Sequence, residues 1–268
     1  MNDPTHDSVC AVPARPWPSA AEASAPADAS PPAFGHTPSA FDESAPHPGL
    51  IADQAVVRPV GRSDTVFRGR IWDVVSDDVT LPDGVTVCRE YVRHPGAAAV
   101  IAVDAAGSVL LQRQYRHPAR AQLWEPPAGL LDVPGEPPAL TARRELAEEA
   151  DLEASDWRHL VTFNSSPGGS SEVIHVFLAR HLGEAPADRR FVREAEEATL
   201  VSAWIPLDDA VGLVMANRLR SPTAVVGILA AAAARRAAGG WDSLPPAAAS
   251  CPPSPPEAPR SGDRLPRR

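Results

Sequence analysis

Residues 129–152 read GLLDVPGEPPALTARRELAEEADL, and the second half of this stretch has the spacing of a helix. Gly135-Glu136 followed by Pro137 and Pro138 marks its start, because first-turn N–H groups have no helical partner and proline loses nothing there. The predicted helix runs from Pro137 to Ala150. Glu145, Glu148 and Glu149 stand three and four residues apart, so their carboxylates share one face within about 100° of arc. Like charges so placed repel by roughly 0.2 to 0.5 kcal/mol per pair in an isolated helix. A hard divalent cation, which prefers oxygen ligands, turns that repulsion into a binding site. Ala139, Ala142, Leu146 and Ala150 lie about 100° round the helix and supply an apolar stripe to anchor it. A metal site needs such a rigid base.

Outward from the helix the pattern is mixed. Val66–Val75 and Val85–Val92 read as strands around the turn LPDG, and Ala97–Val103 and Ser108–Tyr115 as a second hairpin around DAAG. Further strands are expected at His159–Phe163, Val173–Ala179 and Leu200–Ile205, then helices at Leu207–Ala216 and Thr223–Ala238. Hairpins with interspersed helices, lacking regular strand-helix alternation, indicate an α+β fold with a mixed sheet. Most of the 31 prolines fall in residues 1–60 and 241–268, which read as disordered extensions of a domain spanning 61–240. Within it, strands are expected over 64–93, a core over 96–206 and closing helices over 207–239.

Composition excludes several classes. A net charge of −9 argues against a chain that grips nucleic acid, and no uninterrupted apolar run is long enough to span a bilayer. All 25 basic residues are arginine, so Schiff-base and P-loop lysines are ruled out. Cys10, Cys88 and Cys251 have neither metal-ligand nor disulfide-framework spacing, and no signal peptide opens the chain. Together these fit a reducing cytoplasm.

The helix and its approach resemble the Nudix box: a glycine, a glutamate, Arg-Glu and an aliphatic residue, then Glu-Glu and a final aliphatic. The matching residues are Gly129, Glu136, Arg144, Glu145, Leu146, Glu148, Glu149 and Leu152. Two departures stand out: six residues rather than five separate Gly129 from Glu136, and Asp151 replaces the family's glycine at a position expected to end the helix with positive φ. The resemblance implies a Nudix-type α/β/α sandwich with a mixed β-sheet, preceded by an N-terminal antiparallel strand region. It also implies Mg²⁺- or Mn²⁺-dependent hydrolysis of a nucleoside diphosphate linked to a further group. Glu145 and Glu149 are then metal ligands, with Glu148 holding a further metal or its waters and the Ala128 carbonyl contributing. Glu136 and Arg144 pair structurally.

The stretch LWEPPAG, residues 123–129, and SSPGGSSE, residues 165–172, resemble the ADP-ribose pyrophosphatase branch, with Pro167 fifteen residues after Leu152. That branch implies a nucleoside diphosphate sugar as substrate, AMP and a sugar phosphate as products, and a homodimer exchanging N-terminal strands. Arg113, Arg116, Glu125, Pro167, Gly168 and Glu172 are the candidate substrate contacts, arginine being suited to diphosphates by its forked donors. The branch places a catalytic glutamate on a later loop; in REAEEATL, Glu196 is the first candidate and Glu197 the second, Glu194 being also present. The alternatives are another substrate (NADH, a dinucleoside polyphosphate or an oxidised nucleotide) and a non-catalytic ADP-ribose sensor. The intact glutamate set speaks against the sensor.

Overall fold

The computed structural model describes residues 52–53, 55–186 and 200–247. Glu194, Glu196 and Glu197, and most of the two expected extensions, lie outside the described residues. The chain divides into two units, one holding the described residues up to Asp64 together with Ser76–Arg89, the other holding Thr65–Val75 and those from Glu90 onward.

Among the described residues, ten strands and three α-helices follow in chain order. The first sheet has the order β1-β2-β3, with β1 at Val60–Arg68, β2 at Asp73–Thr80 and β3 at Thr86–Arg93. The single strand expected over Val66–Val75 is thus broken. Gly69 donates its N–H to the Trp72 carbonyl at 3.0 Å, and a Cβ at Gly69 would collide with that same oxygen. The tight reversal needs the glycine. The LPDG turn forms as read, Gly84 donating to the Leu81 carbonyl at 2.9 Å with φ +83°. Cys88 departs from the expectation drawn from cysteine spacing: it is disulfide-bonded.

In the larger unit, β4 (Ala97–Ala102) is the pivot of a four-stranded sheet of order β7-β4-β9-β8, with β7 at Ala128–Leu130, β8 at Leu152–Asn164 and β9 at Val173–Glu184. It pairs parallel with β9, Ala99 opposite Val176, and antiparallel with β7, Ala98 opposite Gly129. With both edges taken, β4 cannot pair along its length with β5 (Ser108–Arg116). The hairpin expected around DAAG survives only as one bridge, Val103 to Val109, closed by Asp104, whose carboxylate accepts the N–H groups of Ala106 and Ser108. Beyond it β5 joins a second sheet, β10-β5-β6, with β6 at Ala121–Glu125 and β10 at Val201–Pro206.

Alternation along β4 and β9 divides the core into two layers. Ala99, Ile101, Val176 and Leu178 share one cluster with residues of α2 (Leu207–Met215) and α3 (Pro222–Arg236). Ala98, Val100, Phe177 and Ala179 share the other with Ala142 and Leu146 of α1 (Pro138–Ala150). Helices therefore cover both faces of a mixed sheet, the α+β sandwich expected. Gly227 lets α3 approach β4 closely, since a Cβ there would sit 2.7 Å from Ile101 Cδ1.

The domain boundary expected at 240 falls short of the folded chain. Gly240–Ser243 forms a 3-10 turn, and the next residues bind β8, His159 donating to the Pro245 carbonyl at 2.9 Å and Ala247 to the Trp157 carbonyl at 3.1 Å. Arg180 lies over the Trp241 ring at 5.6 Å. Pro245, one of the prolines that suggested disorder, serves here as an acceptor, a role that needs no N–H.

Candidate active site

The site is built on α1 and the short strand β7 facing it. The apolar stripe of α1 behaves as read: Ala142 and Leu146 are fully buried, with Ala139 and Ala150 packed beside them. The helix ends at Asp151, whose φ of 55° and ψ of 34° give the left-handed cap, its N–H returning to Ala147 and Leu146. Asparagine and aspartate are the residues other than glycine that enter this region most readily.

That anchoring turns the glutamate face toward β7. The Glu145 side chain lies against Gly129 so closely that a Cβ there would overlap its carboxylate and come within 2.6 Å of its Cγ. One turn on, Glu149 Oε2 accepts the Ala128 N–H at 3.1 Å. Two carboxylates of the helix thus converge on one dipeptide. Arg144 holds the face together, donating to Glu145 at 2.7 Å, Glu148 at 3.1 Å and Glu136 at 3.4 Å. Burial opposes its charge, but the three glutamates outweigh that and raise the guanidinium above its ordinary pKa. Glu136 also accepts the Thr141 hydroxyl at 2.7 Å. The structural pairing expected of Glu136 and Arg144 is present, and Arg144 engages two of the candidate metal ligands as well.

Among the described residues, no three His, Cys, Asp or Glu side chains are gathered tightly enough to enclose an ion. The donors nevertheless fit a hard dication in type: carboxylate oxygens from Glu145 and Glu149, brought to the Ala128–Gly129 backbone because position 129 carries no side chain.

A small, open cleft lies beside this pair, lined by Gln112, Gln114 and Arg116 of β5, Glu125 of β6, Ala128 and Glu149 among others. Arg116 donates from Nε and Nη2 to Glu125 Oε2, at 2.9 and 2.7 Å. Arg116, Glu125, Ala128 and Glu149 are therefore brought together. Arg113, an odd number of residues from Arg116, projects from the opposite face of the strand and lies over the Trp124 ring at 5.7 Å.

Pro167 and Gly168 are exposed on the turn between β8 and β9. Glu172 closes that turn, accepting the Ser165 hydroxyl and lying 3.5 Å from His94 Nδ1. The turn is fixed to the end of β3, where Val92 donates to the Gly169 carbonyl and Ser171 to the Val92 carbonyl, each at 2.9 Å. Burial lowers the His94 pKa, Glu172 opposing it. This turn binds β3 and His94 and does not line the cleft described above.

The sequence reading missed Gln112. It is buried, and its amide donates to the main-chain carbonyl of Glu149 at 2.7 Å. Nothing in LLQRQYR distinguishes it from Gln114; only the placement of α1 over β5 does.

Residues 92–224 match the NUDIX domain family. An ADP-ribose pyrophosphatase of Mycobacterium tuberculosis (strain ATCC 25618 / H37Rv) is 43% identical over 168 residues, covering 63% of this chain and 80% of that protein. A methanol dehydrogenase activator of Bacillus methanolicus is 36% identical over 167 residues, covering 62% of this chain and 88% of that protein. A crystal structure of an ADP compounds hydrolase shares the fold, with a TM-score of 0.57 at 22% identity over 69% of this chain and 97% of that one. The family match runs across β4, the box helix and the sheet that positions it, and the chain belongs to the Nudix family of hydrolases.

Proposed function

We propose that the chain hydrolyses the diphosphate of ADP-ribose or a related ADP-sugar, giving AMP and a sugar phosphate. The observation that carries the reading is the convergence of Glu145 and Glu149 on the Ala128–Gly129 backbone beside the cleft that holds Arg116. The choice of substrate follows the M. tuberculosis relative.

Nudix hydrolases generally need a divalent metal. In this reading Glu145 and Glu149 hold Mg²⁺ or Mn²⁺ with the Ala128 carbonyl, and Glu148 holds a further ion or its waters. When bound, the cation neutralises charge on the diphosphate. The chain's own residues supply position. Arg116 offers forked donors to phosphate oxygens, with Glu125 fixing its orientation until substrate arrives. Arg144 keeps Glu145 and Glu148 from splaying apart. Hydrolysis adds water across the P–O–P bridge, hydroxide to one phosphorus and a proton to the departing oxygen. Glu196, or else Glu197, takes the water's proton. The working unit is a homodimer.

The test is AMP release from ADP-ribose by purified protein with Mg²⁺ or Mn²⁺, with EDTA as control and NADH and ADP-glucose as competing substrates. Metal-dependent release strongest with ADP-ribose is expected. ADP-ribose binding without cleavage of any substrate would overturn the hydrolase reading in favour of a sensor, and preference for NADH would overturn the substrate.

A further inference from the structure

The last four carbonyls of an α-helix have no partner within the helix, and its last turn is the least constrained. Glu149 is the penultimate residue of α1, so a candidate metal ligand sits on the part of the helix most free to fray. Two contacts oppose that. The carboxylate accepts the Ala128 N–H at 3.1 Å, and the main-chain carbonyl accepts the Gln112 amide at 2.7 Å. Gln112 is 3% exposed and fixed on β5, paired with Glu125 of β6 and Ser202 of β10. Its amide nitrogen also lies 3.5 Å from the Ser202 hydroxyl. A strand buried at the centre of its sheet thus grips the last turn of the box helix.

We infer that Gln112 is a positioning residue for the metal site: its amide, through the Glu149 carbonyl, sets the direction in which the Glu149 carboxylate leaves the helix. Groups that orient a metal ligand without touching the metal contribute strongly to affinity. A neutral amide does so here without adding charge to the site. The inference rests on the reading of Glu149 as a ligand.

The test is Mn²⁺ titration of the full chain, without substrate, followed by the electron paramagnetic resonance signal of free Mn²⁺. Wild type is compared with Q112M, Q112N and E149Q. Methionine conserves volume and removes the donor; asparagine keeps the amide but sets it one methylene short. We expect both Gln112 variants to bind Mn²⁺ about tenfold or more weakly, with folded far-ultraviolet spectra and kcat falling more than KM rises. A Gln112 variant that melts earlier but binds Mn²⁺ with the wild-type Kd would overturn the inference, leaving Gln112 a stabilising contact alone. Should Q112M not fold, the Kd of Q112N decides in the same way. Wild-type Mn²⁺ affinity in E149Q would instead overturn the ligand reading beneath it.

Discussion

The carboxylate of Glu145 occupies the space above Gly129 where a side chain would begin. The helix residue and the strand residue are therefore one device: the bare backbone of β7 is the seat, and the glutamate reaches it only because the seat is empty. A G129A substitution places a methyl group against the flexible end of a side chain, not against backbone. The fold yields by moving Glu145 aside. We expect the melting temperature to change little while Mn²⁺ affinity and turnover fall by about 100-fold, and calorimetry beside an AMP-release assay measures both. Equal losses of stability and activity would contradict this.

Removing a charge from the helix face without changing its size separates ligand from scaffold. E149Q leaves the Gln112 contact to its main chain in place and keeps an oxygen for the Ala128 N–H. Turnover is expected to fall by about 100-fold or more, with an unchanged circular dichroism spectrum. Near wild-type turnover sinks the ligand assignment.

Asp151 adopts a left-handed conformation that glycine takes without strain. D151G is expected to raise stability by about 0.5 to 1 kcal/mol, measured by urea denaturation, and to leave turnover as it is. A loss of stability would show that the Asp151 side chain contributes more than its backbone costs.

Beneath α1, a bulge between His159 and Val161 in β8 turns both His159 and Thr162 toward His175 of β9. The Thr162 hydroxyl lies 2.8 Å from His159 Nε2 and 3.1 Å from His175 Nδ1. Burial lowers both imidazole pKa values, and His159 lowers that of His175 further. The unfolded chain, with histidine near its ordinary value of about 6.5, takes up protons first as the pH falls. Stability is thus full above that value and declines below it until the folded pKa values are reached. Urea midpoints should drop as the pH falls below about 6.5, and less in H159Q. A flat wild-type profile would refute the coupling.

The box helix was legible because helical period, proline start and acidic face all pointed the same way, and Asp151 was legible as its cap. What the sequence hid was pairing. β6 and β7 are five and three residues long with Pro126 and Pro127 between them, too short and too broken for alternation to show. The parting of β4 from β5 depends on β4 being claimed by β7 and β9, which no local pattern records. β8 extends well before His159 because Leu152, Glu153 and Ala154 pair with the end of β9. Arg113 and Arg116 read alike as cations; the parity of strand positions puts only Arg116 in the cleft.

The segment 245–247 lies along the outer edge of β8, the last strand of its sheet. An open strand edge recruits other strands. During synthesis β8 emerges some eighty residues before the segment that covers it, so the nascent sheet has its edge uncovered until residue 247 has cleared the ribosome. The order of translation leaves an interval in which two growing chains can join edge to edge, and the arrival of Pro245–Ala247 ends it over Trp157–His159.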